Sequence, residues 1–219
     1  MTADPTGGES NPAASGPVAS PTMAGGFDGL TPGMHLVRAP LTANAVTTVA
    51  LMRTLTRQAG WGGVYLSLDR PSRYVSFLLR KQGVDIQRIT FVDVVTSISA
   101  DRTGETDFAF VCEAFLKSKF LTGVFRRAME GTDRTVSKVD LQAMDFLYVD
   151  NLATSLFYNP EERVFEFISD LKEIRAQRPG VKIVIFVQAE SRAKFLTTLE
   201  AIADSNRSFT SPTSVGSGG

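Results

Sequence analysis

One stretch, DFLYVDNLATSLFYNP at residues 145–160, constrains the fold of this chain more than any other. Residues 146–149 are bulky, mostly apolar strand formers, and the run stops at an acid, Asp150. Such a run predicts a strand that is buried on both faces, as in a parallel sheet. The carboxyl end of the strand carries Asp150 to the edge where open α/β sheets bind their ligands.

Apolar runs alternate with amphipathic stretches along most of the chain, and this predicts strands that alternate with helices. Further strands are predicted at residues 34–38, 63–68, 89–94 and 181–187. Strands that alternate with helices through short loops indicate a three-layer α/β fold. Its sheet is expected to be mostly parallel and to carry helices on both faces.

Capping residues and apolar spacing predict four helices. The first spans residues 45–59, with Asn44 as its N-cap and Gly60 as its stop. The second begins at Pro71-Ser72 and ends at Gly83, with Tyr74, Phe77 and Leu78 on one side. The third follows Asn159 as N-cap and Pro160 as first residue; it buries Val164, Phe167, Ile168, Leu171 and Ile174 and ends at Arg178-Pro179-Gly180. The fourth is capped by Ser191 and runs to about Ala203.

The region from Phe108 to Glu130 allows two interpretations. Residues 108–111 are apolar enough for a strand, with a helix following at residues 113–129. The whole stretch also fits one long helix, because periodicity does not separate the two cases for short apolar runs. The phenylalanines of this stretch are expected to face a core rather than a partner.

Composition sets the boundaries of the folded unit. Residues 1–29 and 205–219 are rich in Gly, Pro, Ser, Ala and Thr, so both are predicted to be disordered tails. One α/β domain is therefore expected at residues 30–204. Because the domain would end soon after its last helix, an exposed sheet edge is expected there.

Charge and residue counts exclude several functions. The chain has 23 basic and 23 acidic residues, so it offers no long-range attraction to nucleic acid. Its one cysteine, Cys112, and one histidine, His35, exclude an internal disulfide and a Cys/His zinc site. We interpret Cys112 as a buried thiol, His35 as a packed strand residue and Arg126-Arg127 as a solvated last helical turn. No signal peptide or spanning segment is evident, so a cytoplasmic protein is expected.

Four segments in order carry a family resemblance: RAPLTANAVT at residues 38–47, VYLSLDRPSRYVSFLLRKQGVDIQRITFVD at 64–93, DFLYVDNLATSLFYNP at 145–160 and VKIVIFVQAE at 181–190. Over residues 34–204 they resemble the RecA/KaiC-like P-loop ATPases, above all archaeal KaiC-like proteins that include the archaellum accessory ATPases. The resemblance implies the P-loop NTPase fold, with a phosphate-binding loop after the first strand and a Walker B acid at Asp150.

The loop departs from that family in its key residues. By resemblance, the degenerate phosphate loop consists of Arg38, Ala39, Pro40, Leu41, Thr42, Ala43, Asn44, Ala45, Val46 and Thr47. The lysine position falls on Ala45, or on Val46 in the other register, and the magnesium-binding hydroxyl position falls on Val46 or Thr47. There is no glycine at residues 38–58. Each charge-assisted phosphate contact that is lost costs roughly 1.5–3 kcal/mol, so ATP hydrolysis is not expected.

Two acids match catalytic positions of the family. Asp150 matches the magnesium-associated acid, and we interpret it as a polar strand terminus, with a metal ligand as the alternative. Asp69 matches the first acid after the second strand, but the next residue is Arg70 rather than a second acid. An adjacent arginine lowers the pKa of a carboxyl and makes it a poorer general base. Asp69 and Arg70 are therefore predicted to serve surface or interface contacts.

These features predict a pseudo-ATPase domain that acts through protein contacts in regulation, scaffolding or signalling. The alternative is an atypical ATP-binding protein or ATPase that uses Asp150 for magnesium and a cation such as Arg38 or Arg70 for phosphate. No cofactor is expected in the first case, and ATP with Mg²⁺ in the second. The partner is expected to be another protein or a second copy of the chain. A DNA-binding relative of recombinases is disfavoured by the neutral composition.

Overall fold

The computed structural model describes residues 27, 29–58, 60–93, 95, 109–111, 144–157 and 159–209, and for 109–111 it describes the strand alone. The strands are β1 (Gly33–Ala39), β2 (Gly62–Ser67), β3 (Ile89–Asp93), β4 (Ala109–Val111), β5 (Met144–Asp150), β6 (Lys182–Gln188) and β7 (Ser205–Ser208). The helices are α1 (Asn44–Leu55), α2 (Ser72–Lys81), α3 (Glu161–Gln177) and α4 (Ala193–Ile202). Short 3₁₀ helices lie at Leu41–Ala43 and Leu152–Phe157.

These strands form one sheet in the order β4-β3-β2-β5-β6-β1-β7, and each pair of neighbours is parallel. One apolar core lies between the sheet and helices α3 and α4, and a second lies between the sheet and helices α1 and α2. The three-layer α/β fold predicted from the sequence is confirmed. The central strands are buried throughout, which explains why they read as continuous apolar runs.

Of the two interpretations of residues 108–130, the strand is confirmed, since Ala109–Val111 pairs with β3 as strand β4. The helix predicted at residues 113–129 lies outside the described residues, as do Cys112 and Arg126-Arg127. The prediction for residues 1–26 as a tail also falls outside them.

Gly63, the second residue of strand β2, lies at a position that only glycine can occupy. The register between β2 and β5 shifts between Gly62 and Gly63. A Cβ atom on Gly63 would lie 2.4 Å from the carbonyl oxygen of Phe146 and 2.6 Å from its ring. The glycine therefore allows the two central strands to approach closely at their amino ends.

The domain boundaries predicted from composition are wrong at both ends of the fold. Residues 205–208 pair in parallel with β1 as strand β7, so the chain does not leave the sheet at Asp204. Phe27 is buried and its ring centroid lies 5.3 Å from that of Phe209. The edge of β1 is thus covered by β7. The prediction failed because Ser-Asn-Arg-Ser has no apolar alternation to mark it as a strand.

Three predicted helix caps are also wrong. Asn44 lies inside α1, because the 3₁₀ turn after Pro40 continues directly into the helix. Pro160 and Arg192 occupy the N-cap positions of α3 and α4, and neither cap makes a side-chain hydrogen bond. Asn159 instead donates to the carbonyl of Ser155 at 2.9 Å. Ser191, in turn, donates its amide to the carbonyl of Gln188.

Helix α1 ends at Leu55, four residues before the predicted end at Ala59. Both the amide and the hydroxyl of Thr56 donate to the carbonyl of Met52. The side chain of Thr56 thus takes up the last helical carbonyl, and the chain leaves the helix there.

Helix α2 ends as predicted, but the face that packs on the core is not the one that carries Tyr74 and Phe77. Gly83 has φ +70° and its amide donates to Arg80, while Val84 donates to Leu79, which is a Schellman ending. The buried face consists of Ser72, Val75, Ser76 and Leu79. Of the three residues predicted to share one side of the helix, Tyr74 and Phe77 are 51% and 60% exposed, and Leu78 packs against the core.

Candidate functional site

The candidate site lies at the carboxyl edge of the sheet, where β2 and β5 end side by side. Ser67, the last residue of β2, pairs with Asp150, the last residue of β5. Asp150 has no exposed surface. The strand therefore delivers its carboxylate into the protein at the position predicted for a magnesium-associated acid.

Arg70 neutralises this carboxylate from within the chain. Its Nη2 lies 2.8 Å from Oδ2 of Asp150 and its Nε lies 3.2 Å from the same oxygen. The Ser67 hydroxyl donates to the carbonyl of Arg70 and so folds the loop after β2 back toward the strand end. The Arg70 side chain is 15% exposed. The prediction of a surface or interface role for Arg70 is therefore wrong.

Two tyrosines and a threonine complete the surroundings of this ion pair. The Tyr65 hydroxyl donates to Oδ2 of Asp150 at 2.6 Å. Thr48 of α1 accepts from Nη2 of Arg70 at 2.9 Å and lies 3.3 Å from the hydroxyl of Tyr148. Side chains from α1, β2 and β5 thus enclose the guanidinium and the carboxylate.

Burial dominates the electrostatics of this cluster. Complete burial raises the pKa of Asp150, while Arg70 and the Tyr65 hydrogen bond act in the other direction. Burial also raises the pKa of Tyr65 and of Tyr148 well above its usual value, so both phenols stay protonated as donors. For Arg70, burial is the largest single influence and lowers the pKa, but the charge and hydrogen bond of Asp150 together with the two tyrosines outweigh it, so the pKa is raised. The guanidinium therefore stays charged and holds the carboxylate.

Asp69 lies beside this cluster and serves as a loop connector. Its Oδ1 accepts from the Thr154 hydroxyl at 2.9 Å, and its Oδ2 accepts from Nδ2 of Asn44 at 3.4 Å. Asn44 in turn accepts from the Thr48 hydroxyl at 3.3 Å. Asp69 thus joins α1 to the loops after β2 and β5. Its carboxylate oxygens are engaged in these contacts.

The predicted phosphate loop does not converge on Asp150. Arg38 forms an ion pair with Glu200 of α4 and donates to the Ser208 hydroxyl at 2.9 Å, on the side of the sheet edge strand. The amide of Leu41 lies 3.4 Å from Oε1 of Glu190. The Leu41 and Val46 side chains are exposed. The loop therefore supplies no cation to the strand end, which receives its positive charge from Arg70.

Several polar atoms at this edge are buried without a hydrogen-bond partner. They are Oδ1 of Asp150 and both side-chain polar atoms of Asn151; Oγ1 of Thr47 on α1 and Nε of Arg38 on β1 are also buried without a partner. Asn151 also has φ +55°, a left-handed conformation that asparagine tolerates better than most residues. Unpaired buried atoms are costly, and they mark this edge as the place where a polar group could be accommodated.

We asked whether these residues fit ATP with Mg²⁺, the ligands that the fold family implies. A cation bound to Asp150 would face the Arg70 guanidinium, which already occupies Oδ2 of that carboxylate. Residues 40–58, the loop and helix after β1, contain no lysine or glycine to hold phosphates. Within the residues that the structure describes, no group of three His, Cys, Asp or Glu side chains could hold a metal ion. The arrangement therefore does not fit the metal–nucleotide complex.

His35 is a packed strand residue, as predicted. Its Nε2 lies 2.7 Å from the carbonyl of Thr31, which can only accept, so Nε2 carries the proton. Its Nδ1 lies 2.7 Å from the Ser205 hydroxyl and accepts from it. Burial lowers the pKa of His35, and the hydrogen bond to Thr31 opposes this effect. The histidine connects β7 to the segment before β1.

Sequence reasoning missed Thr48, Tyr65 and Tyr148 as members of the site. Thr48 lies one residue beyond Thr47, one of the two candidates for the magnesium-binding hydroxyl. The tyrosines were counted as strand formers within β2 and β5. One signal could have identified the two tyrosines: each places a hydroxyl on a buried strand, and the two strands end at the same edge of the sheet.

Comparisons with known proteins agree with this fold. No protein-family model and no curated protein sequence matches the chain. The uncharacterised protein PH0321 from Pyrococcus horikoshii, solved with an unknown peptide, is similar in structure at a TM-score of 0.57 and 16% identity, over 80% of this chain and 76% of that one. The flagellar accessory protein FlaH from Methanocaldococcus jannaschii is similar at 0.51 and 15% identity, over 79% of this chain and 69% of that one.

A third solved structure, the KaiC-like protein PH0186 from Pyrococcus horikoshii, gives a TM-score of 0.48 and 17% identity, over 81% of this chain and 74% of that one. The three-layer α/β fold predicted from the sequence is thus shared with PH0321 and with FlaH. Among the described residues, no helix combines the length and apolarity that crossing a bilayer requires.

Proposed function

We propose that this chain is a RecA/KaiC-like domain that does not hydrolyse nucleotide and acts through protein contacts, as a regulatory, scaffolding or signalling component. The observation that carries the proposal is the ion pair between Arg70 and Asp150, 2.8 Å apart and closed off from solvent at the carboxylate. Arg70 already neutralises the negative charge of the Asp150 carboxylate, which a bound magnesium ion would otherwise neutralise. To bind the metal, the protein would have to break a buried pair, at a cost of several kcal/mol.

Exposed apolar side chains support the role in protein contacts. Tyr74 and Phe77 lie on the outer face of α2, and Phe157 follows β5 at the carboxyl edge, where Leu41 is also exposed. Exposed aromatic residues of this kind are typical of protein interfaces. That PH0321, which shares the fold, is seen with a peptide agrees with such a role. With one cysteine in 219 residues, the composition fits the cytoplasm.

The alternative is a nucleotide-binding protein that uses Asp150 for magnesium. It is favoured by one observation: Oδ1 of Asp150 and Oγ1 of Thr47 are buried without a hydrogen-bond partner. A carboxylate oxygen and a hydroxyl are the ligand types that Mg²⁺ takes in nucleotide sites. This alternative requires Arg70 to move away from Oδ2 and onto the phosphates.

Phosphate release from ATP, measured with the full chain and with Asp150→Asn, tests the proposal. The proposal predicts no turnover above the rate without protein for either chain. If the wild-type chain releases phosphate and Asp150→Asn does not, the alternative replaces it. A matched Asp170→Asn variant, which changes an acid of α3 away from the site, controls for a contaminating ATPase, since a contaminant would leave the rates of all three chains alike.

A further inference from the structure

A second candidate site lies at the opposite, amino edge of the sheet, around the side chain of Lys182. This lysine is the first residue of β6 and is only 8% exposed. Its ammonium lies 3.4 Å from the ring centroid of Trp61, directly over the indole. An aromatic face stabilises a cation but carries no net charge, so it does not neutralise the ammonium.

No carboxylate of the described residues lies within ion-pair distance of this ammonium. The acid that acts on it most is Asp145, whose Oδ2 already accepts the amide of Gly62 at 2.9 Å. Burial lowers the pKa of Lys182, and Asp145 opposes this effect. A buried ammonium that no carboxylate of the described residues contacts directly is unfavourable, and an anion placed against it would stabilise it.

Lys182 lines an open cavity of about 270 Å³. Its walls include Leu30, Thr54, Leu55, Gln58 and Trp61. Arg57 lines it too and is engaged in an interaction of its own. The Thr54 hydroxyl is also engaged, because it donates to the carbonyl of Ala50 at 3.2 Å. Among the described residues, the cavity thus combines an apolar wall, the neutral amide of Gln58, the engaged Arg57 and the ammonium of Lys182, which no described carboxylate contacts directly.

We propose that this cavity binds a carboxylate attached to a short apolar body, with the carboxylate on the Lys182 ammonium and the body against Trp61 and Leu55. The Lys182 ammonium offers a positive charge to a carboxylate, and the leucine and indole surfaces match an apolar chain. Inorganic phosphate has no apolar part, so it would leave the apolar wall unused. The site lies at the edge of the sheet opposite to Asp150 and is independent of the function proposed above.

The chain offers a direct probe, because Trp61 is its only tryptophan. We would titrate the full chain with sodium hexanoate and follow the fluorescence of Trp61. Hexanamide, which has the same chain length and no charge, is the matched ligand control, and inorganic phosphate tests the selectivity. A saturable change is expected with hexanoate, with at least a tenfold weaker response to hexanamide and to phosphate.

Lys182→Met removes the ammonium and keeps an unbranched side chain of similar length. Because it removes a buried charge, the variant is expected to fold, which thermal unfolding checks. Its affinity for hexanoate should fall at least tenfold. Lys194→Met, an exposed lysine of α4 at the other edge of the sheet, should bind hexanoate like the wild-type chain.

The carboxylate could belong to a free acid or to the last residue of a polypeptide, and a short peptide ending in leucine distinguishes the two. If the free-acid peptide competes with hexanoate and its C-terminal amide does not, the source is a chain terminus; if neither competes, it is a small acid. The proposal is overturned if hexanamide binds as well as hexanoate, if folded Lys182→Met keeps its affinity, or if no ligand changes the fluorescence up to about 10 mM.

Discussion

The guanidinium of Arg70 and the carboxylate of Asp150 lie 2.8 Å apart at the end of two adjacent strands, although 80 residues separate them in the chain. Asp150 is fully buried, and the Tyr65 hydroxyl donates to the same oxygen that Arg70 contacts. In this protein an arginine from the loop after β2 therefore supplies the positive charge at the sheet edge. The loop after β1, where the lysine of a P-loop would lie, supplies no positive charge there.

Removing Arg70 should destabilise the protein strongly. Arg70→Met would leave the Asp150 carboxylate buried without its cation, which costs about 3–5 kcal/mol in unfolding free energy. Urea unfolding measures this loss. Arg73→Met, at an exposed arginine of α2, is the matched control and should change stability by less than about 0.5 kcal/mol. Equal effects of the two substitutions would show that the pair contributes nothing to the fold.

Acid should weaken the attachment of β7 through His35. Its pKa in the folded protein is lowered, chiefly by burial, below the value of about 6.5 expected when unfolded. The unfolded chain therefore binds the proton more readily. The contribution of His35 is complete above about pH 6.5 and is lost as the pH falls through its folded-state pKa.

Urea unfolding of the wild-type chain and of His35→Gln across pH 5–8 would measure this effect, since glutamine does not titrate. The stability of the wild-type chain should fall more steeply below about pH 6.5 than that of the variant. Parallel curves for the two proteins would contradict this assignment.

Gly63 should tolerate no side chain. In Gly63→Ala the new methyl group would lie 2.4 Å from the carbonyl oxygen of Phe146, so β2 and β5 would have to separate. Overpacking of this kind costs about 1–3 kcal/mol, which thermal or urea unfolding detects. Gly180→Ala is the matched control, because no atom lies within 4 Å of its added Cβ. A loss for Gly180→Ala as large as that for Gly63→Ala would refute the steric explanation.

The two faces of α2 should respond differently to truncation. Leu79 is fully buried, so Leu79→Ala should cost about 2–5 kcal/mol in unfolding free energy. Phe77 is 60% exposed, so Phe77→Ala should cost much less, although it removes the larger side chain. If Phe77→Ala proved the more destabilising change, the aromatic face of α2 would be the one in the core.

The sequence predicted the sheet well because its central strands are buried on both faces. Residues 146–149 and 181–187 are almost wholly apolar, and few other structures fit such runs between helices. Strand β7 was missed because an edge strand of Ser-Asn-Arg-Ser buries little and is held mainly by its backbone pairing to β1. Apolar patterns detect burial, and they do not detect pairing at an edge.

Helix α2 and the candidate site at Asp150 were harder to predict from the sequence for a related reason. The aromatic residues Tyr74 and Phe77 outweigh Ser72 and Ser76 in the sequence pattern, yet the two serines lie on the buried face of α2. The sequence indicates a pairing of Arg70 with its neighbour Asp69. In the structure its ion-pair partner is Asp150 at the end of β5. Pairings between distant residues depend on the fold and leave no mark in local sequence.

Titration of the full chain with ATP, with and without Mg²⁺, tests the central claim most directly when binding is measured by calorimetry. If the Arg70–Asp150 pair closes the site, no binding heat should appear up to about 1 mM nucleotide in either condition. Magnesium-dependent binding at micromolar affinity would contradict the account, because Asp150 would then hold the metal and Arg70 would have to release it.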